Sequence, residues 1–291
     1  MTNGWPYSEQ RASAAASVGV DPHTMRRLLL HEARVHALPG RTLQDMSDAI
    51  LLTDPVDPEP FWNRLEAIHW PSEPEAFDRR LDEAVVMFAT LARRPHVWPS
   101  PAYDEPADLV ARLLRNGFED VGGGHLMVLI DPAPARAAAI EMTPPDVTIE
   151  RLHRLEGDVE ELARSITGVL ADAFEVDPLR AQLLQTETAA ALRNPSISHY
   201  LARMSGAPVA LARAATFDGC TYLSSIGTVG GMRGRGLGRL VTARAVADAL
   251  TGGSEWIHLG VFVENDGARR LYERLGFVSI GGPVPDLLLI G

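Results

Sequence analysis

The sequence predicts an α/β chain in which one arrangement of strands and helices occurs twice. Apolar runs such as Cys220–Val229 and Trp256–Val263 read as strands, and they alternate with stretches of helical period. At 291 residues, the length suits two modest domains better than one. The third observation is an ungapped internal match at an offset of 159 positions. There Gly117 falls on Gly276, Phe118 on Phe277, Gly122 on Gly281 and Gly123 on Gly282. Further upstream, Ile68-His69-Trp70 falls on Gly227-Thr228-Val229, and Leu81 on Leu240.

The elements follow in order. Residues 1–22 are rich in Ala and Ser and read as a poorly ordered tail ahead of a helix from His23 to Ala37. The first unit is expected over 23–133. The prolines and alanines of Asp131 to Pro145 read as a linker, placed at 134–146. The second unit, 147–291, opens with a strand at Val147–Leu152. Helices follow at Gly157–Phe174 and Ala181–Arg193, and Val209–Thr216 is a strand leading into a hairpin.

The most informative stretch is Thr228-Val229-Gly230-Gly231-Met232-Arg233-Gly234-Arg235-Gly236-Leu237-Gly238-Arg239-Leu240. It leaves a strand, passes a glycine-rich turn and enters a helix whose apolar face is Leu237, Leu240, Val241, Ala245 and Ala249. Such a helix start presents amides without partners and the positive end of the helix dipole. It is therefore suited to phosphate. A P-loop needs lysine after its second glycine, but Leu237 follows Gly236 and the chain holds no lysine. A dinucleotide fingerprint starting at Gly234 needs glycine at 239, where Arg239 stands.

What remains, Arg233-x-x-Gly236-x-Gly238, resembles the pyrophosphate loop of the GNAT superfamily of N-acetyltransferases. A second motif follows the next strand. Asn265-Asp266-Gly267-Ala268-Arg269-Arg270-Leu271-Tyr272-Glu273-Arg274-Leu275-Gly276-Phe277 resembles the family's N-x-x-A-x-x-L-Y-x-x-x-G-F segment. The resemblance implies two GNAT-like units, each a mixed central sheet flanked by helices. It also implies acetyl-CoA as cosubstrate and no metal. Thr228 and Val229 would pair by backbone with the pantetheine arm. The amides of Arg233, Gly234, Arg235, Gly236, Leu237 and Gly238 would hold the pyrophosphate, and Asn265 would contact the pantetheine. Tyr272 would protonate the leaving thiolate, a plausible transfer from a phenol of pKa about 10 to a thiolate whose conjugate acid lies near about 8.5. In the family, the region Phe174 to Leu184 forms the wall against which the acceptor lies.

The general base is open. Thr221 to Val229 carries no acidic residue, so the glutamate that many family members place there is absent. Glu175, Asp177, His258 and Glu264 are all candidates, and a water chain is another. In the first unit the counterpart of the loop is Pro74-Glu75-Ala76-Phe77-Asp78-Arg79, without glycine and with two carboxylates. Asn265 maps onto Pro106 and Tyr272 onto Leu113, so this copy is expected to be degenerate and structural.

Composition bounds the partners. A net charge of −11 argues against nucleic acid. Arginines at 233, 235, 239 and 244 are expected to offset that charge locally around CoA. Cys220 is the single cysteine and is expected to be buried. No apolar run approaches a membrane span and the N-terminus lacks a signal pattern, so the expectation is a cytoplasmic protein with no membrane partner. His31-Glu32-Ala33-Arg34-Val35-His36 has one residue too many for a zinc helix. The expected reaction is acetylation of a primary amine on a small molecule or peptide by direct attack in a ternary complex. A homodimer is left open. The two-unit layout is also that of mycothiol synthase, whose amine is a cysteinyl sugar conjugate. A non-catalytic acyl-CoA sensor is the alternative from another class.

Overall fold

The computed structural model describes residues 20–38 and 40–290. All but the last three residues of the tail expected at 1–22 lie outside that range. Helix α1 spans Pro22–Ala37, and the Asp21 carboxylate accepts from the N–H groups of His23 and Thr24 at its start. Strands β1 (Thr42–Asp45), β2 (Ile50–Thr53) and β3 (Arg64–Glu66) follow, then α2 (Pro74–Thr90), β4 (His96–Val97), α3 (Leu109–Arg115) and β5 (Phe118–Leu129). Next come α4 (Ala133–Ile140), β6 (Val147–His153), α5 (Glu160–Phe174), α6 (Pro178–Arg193), β7 (Ile197–Met204), β8 (Ala207–Phe217) and β9 (Cys220–Thr228). The chain ends with α7 (Leu237–Thr251), β10 (Trp256–Phe262), α8 (Asp266–Arg274) and β11 (Phe277–Leu289).

Two compact units result. Unit 1 is Met1–Leu126, Val261–Asn265 and Ser279–Gly291; unit 2 is Met127–Gly260 and Asp266–Val278. The contiguous division at 23–133 and 147–291 therefore differs from the structure, because segments of β10 and β11 belong to unit 1. The stretch read as a linker also contains α4, with Ala135, Ala138 and Ala139 buried. Alanine is the strongest helix former, and its small side chain permits close packing, so an alanine-rich run between prolines folds onto its unit.

Unit 1 has the strand order β1-β2-β3-β4-β11-β5. The β1–β2, β2–β3 and β4–β11 pairs are antiparallel and β3–β4 is parallel. Its core gathers Leu65, Ile68, Phe77, Phe88, Leu113 and Phe118 with Leu287 of β11. Unit 2 has the order β10-β9-β8-β7-β6, parallel at β10–β9 and antiparallel elsewhere. Both sheets are mixed. Side chains alternate between the faces of a strand. In unit 2, Leu152, Leu201 and Leu211 pack with Ile166 and Leu170 of α5 and Leu192 of α6. The intervening residues face α7, where Tyr200 of β7 reaches Asp248.

The internal repeat is visible in the elements. Shifted by 159 positions, α3, Gly117 and β5 overlie α8, Gly276 and β11, and α2 overlies the loop and α7. Both glycines end a helix in the left-handed region, at φ +86° and +95°, and a buried phenylalanine follows each. At Gly276 an added Cβ would lie 1.8 Å from the Asp131 carbonyl oxygen. Gly276→Ala is therefore expected to cost roughly 3 kcal/mol in denaturant unfolding, from left-handed strain together with the backbone clash.

Candidate functional site

The site in unit 2 begins with an irregularity in β9. Ala210 pairs with Thr228 and Leu211 with Gly227, but Arg213 pairs with Ser224. Ser225 and Ile226 thus face the single residue Ala212, and Ser225 has φ +50°. Such a bulge bends the strand and disrupts its pairing locally. The parallel ladder with β10 runs from Cys220–Trp256 to Leu223–Leu259, while β9 continues to Thr228. Beyond the bulge, the β10-facing edge of β9 lies outside that ladder. This is an edge on which an extended chain can pair.

At the end of that edge the chain makes a short turn, Gly230–Met232, and enters the glycine loop. Gly234 and Gly236 have φ +77° and +78°, a region costly for any residue with a Cβ. Gly236 is the N-cap of α7, and no side chain caps the helix. The first N–H that α7 takes back is that of Leu240, donated to the Gly236 carbonyl at 3.0 Å. Of the expected loop amides before it, that of Arg233 is donated to the Gly230 carbonyl at 3.3 Å, so against expectation it is not available to an anion. Those of Gly234 to Gly238 stand at the positive end of a 15-residue helix. Leu237 is buried and anchors the turn. At Gly238 a Cβ would stand 3.4 Å from the Thr228 hydroxyl, an ordinary contact distance, so the helix starts directly beside the strand end.

The end of α5 holds this loop in place. A Cβ on Gly227 would lie 2.8 Å from the Ala173 Cβ and 3.3 Å from the Phe174 ring, so only glycine permits the approach. The Gly230 N–H donates to Asp172 Oδ1 at 2.5 Å, and Arg233 Nη2 donates to the Ala173 carbonyl at 2.8 Å. Sequence reasoning did not find Asp172. Its spacing before Phe174 is not a motif, and its partner is a backbone amide 58 residues away.

The expected site residues fall as follows. Thr228 through Gly238 form one continuous surface of strand end, turn and helix start. The Val229 N–H is donated to the Val209 carbonyl at 3.0 Å, so pairing by Val229 falls to its carbonyl. Arg233 braces α5, and Arg235 lies near Met204 at 4.0 Å. Arg239 pairs with Glu141, so its charge is matched locally. Tyr272 of α8 is 5% exposed, with its ring edge-on to Phe277, and burial raises its phenol above the ordinary value. It therefore stays protonated across the physiological range. Asn265 belongs to unit 1, where its N–H donates to the Phe262 carbonyl.

Two of the candidate bases are occupied structurally. Asp177 caps α6 by accepting from Leu179 N and Arg180 N, each at 3.0 Å. His258 is fully buried against the Tyr222 ring. Glu175 and Glu264 are exposed. Glu264 lines a cavity of about 280 Å³ in unit 1 together with Asp120. His31 and His36 are both buried, and Arg64 Nη2 lies 3.0 Å from His36 Nδ1. Among the described residues, no group of His, Cys, Asp or Glu side chains is placed to hold a metal ion, and no helix is long and apolar enough to cross a membrane. Cys220 is buried in β9.

The counterpart helix in unit 1 starts differently. The Glu73 carboxylate accepts from Glu75 N and Ala76 N at 3.1 and 2.8 Å, filling the place an anion would take. Those amide bonds hold its pKa below the ordinary carboxylate value.

Residues 160–277 match the family model described as Acetyltransferase (GNAT) family. That stretch is a GNAT acetyltransferase domain. A GCN5-related N-acetyltransferase from Kribbella flavida is similar over 90% of this chain and 95% of its own, at 24% identity and TM-score 0.66. A GCN5-related N-acetyltransferase from Sphaerobacter thermophilus is similar over 97% of this chain and 90% of its own, at 16% identity and TM-score 0.55. A tandem GNAT protein from the clavulanic acid biosynthesis pathway covers 75% of this chain and 70% of its own, at 14% identity and TM-score 0.55. At these identities the likeness establishes the fold. No curated protein matches the chain.

The brace between α5 and the GNAT loop is directly measurable. Asp172→Ala should accelerate exchange of the Gly230 amide by roughly 10-fold, as expected for loss of one charge-assisted hydrogen bond. Asp172→Asn, which keeps an acceptor, should change it less.

Proposed function

We propose that the GNAT domain transfers the acetyl group of acetyl-CoA to a primary amine by direct attack in a ternary complex. The reading rests above all on the opened edge of β9 leading straight into the uncapped start of α7. An extended arm and a pyrophosphate need these two features in that order. The amides of Gly234 to Gly238 hold phosphate oxygens, and the left-handed glycines let the backbone approach them. Thr228 and the Val229 carbonyl receive the pantetheine arm as a further strand would pair. The thioester supplies the activated acyl group. Backbone N–H groups along the bulged strand stabilise the oxyanion formed by amine attack.

Tyr272 supplies the proton that the departing thiolate takes up. Burial makes the phenol a weaker acid, but the same desolvation makes a thiolate beside it more basic, so the two shift together. Within unit 2, Glu175 is the remaining side-chain base among the sequence candidates, and a water chain is the alternative route for the amine proton. The acceptor wall, Phe174 to Leu184, exposes Phe174, Leu179 and Leu183. An acceptor with an apolar portion beside its amine suits that surface. Absence of an acid on β9 is also what a non-catalytic acyl-CoA sensor would display, and the cysteinyl sugar acceptor of a mycothiol-synthase-like enzyme remains a member of the amine class to be tested.

Calorimetry should give one acetyl-CoA site per chain, and Gly236→Trp should weaken binding at least ~100-fold. Two sites per chain would contradict the structural role of unit 1. Free-thiol release across a panel of amines should identify an acceptor; binding without release from any amine favours the sensor. With an acceptor in hand, Tyr272→Phe should lower kcat by roughly 100-fold while leaving acetyl-CoA affinity unchanged, as for loss of a general acid.

A further inference from the structure

Unit 2 holds a second polar concavity on the α7 face of its sheet, of about 190 Å³, lined by residues of β6, β7, β8 and the C-terminal half of α7. Small side chains at Ala214, Ala245 and Ala249 leave the space open. Polar side chains gather where a sheet–helix contact would ordinarily be apolar. Arg151 Nε and Nη2 donate to Ser198 Oγ at 3.4 and 3.3 Å, and Ser198 Oγ lies 3.1 Å from His153 Nδ1. Tyr200, 3% exposed, donates to Asp248 Oδ2 at 2.8 Å, and Arg151 Nε lies 3.6 Å from the same oxygen. Burial of Tyr200, together with its bond to the Asp248 carboxylate, keeps its phenol protonated as a donor.

We infer that this cavity binds a small zwitterion carrying an ammonium and a carboxylate, such as a free amino acid. Opposite charges stand side by side at its rim, where Arg151 and Asp248 are 3.6 Å apart and each about half exposed. Asp248 uses Oδ2 for both contacts, which leaves Oδ1 to accept from an ammonium group. The cavity also reaches Gly252, at the end of α7, where the helix dipole favours a cation. Beside it, Arg151 and the hydroxyls of Ser196 and Ser198 suit a carboxylate, so a zwitterion can meet both partners of the ion pair head to tail. A volume of about 190 Å³ suits a small amino acid. The cavity lies on the α7 face of the sheet, whereas α5 and α6, which carry the acceptor wall, pack on the other face, so a ligand here is an effector and not the acetyl acceptor. The rigid helix α7 carries the glycine loop at its other end, and occupancy of the cavity can bias that loop through it.

Calorimetry without acetyl-CoA, on the wild type and on Gly236→Trp, separates this site from the proposed reaction. Glycine, alanine and serine are compared with propionate and ethylamine, which each carry one of the two charges. At least one amino acid should bind saturably to both proteins, and both single-charge compounds at least ~10-fold more weakly. Ser196→Trp, which fills the cavity, and Arg151→Gln should each weaken amino-acid binding at least ~10-fold. No saturable binding of any amino acid, equal binding of propionate or ethylamine, or binding that survives Ser196→Trp would overturn the assignment. The wild-type comparison of whole and half ligands stands even if a variant fails to fold.

Discussion

One extra residue in β9, at Ser225–Ile226, bends the strand out of its ladder with β10, and the geometry of unit 2 follows from that bend. The strand's far half gains an edge outside the ladder, and the chain reaches Val229 aimed at a turn instead of a further ladder rung. Gly227 sits just after the bulge, where the end of α5 presses on the strand so closely that a methyl group would collide. Asp172 and the Ala173 carbonyl then fasten the turn and the loop arginine. The glycines that follow let the loop enter α7 without a capping side chain, so its first amides remain available to an anion.

Unit 1 shows what the same frame becomes without those residues. Its α2 starts behind Glu73, whose carboxylate takes the amides that Gly236 leaves open in unit 2. Its interior has taken up polar groups instead. Arg64 and Glu66 are paired with almost no exposure, and His96 meets Asp286 of β11. The guanidinium of Arg64 lies over the Phe61 ring at 4.5 Å, with Trp98 and His36 beside it, and Trp62 meets Phe61 and His36 edge to face. These contacts favour a structural reading of the histidines at 36 and 96.

Much of this was legible in the sequence because local chemistry carries it. The helix-Gly-Phe-strand pattern repeats at a fixed offset, since a left-handed cap demands glycine in both copies. The loop could be read because phosphate, close approach and positive φ all select glycine. What stayed hidden depends on partners far along the chain. The bulge at Ser225 is a register relation with β8, and no residue type betrays it. The assignment of Val261–Asn265 and of Ser279–Gly291 to unit 1 is likewise a matter of pairing, so a contiguous boundary was the natural and inaccurate reading. Alanine-rich α4 read as a linker because its prolines stand at its first turn, where proline is tolerated in a helix.

The central claim is that the amides of residues 234–238 hold the pyrophosphate of acetyl-CoA and that the equivalent start of α2 does not. Amide hydrogen exchange with and without acetyl-CoA tests it most directly. The account predicts slowed exchange over 234–238 and along the far half of β9, with residues 75–79 unchanged. Protection at 75–79, or none at 234–238 when acetyl-CoA is bound, would contradict it.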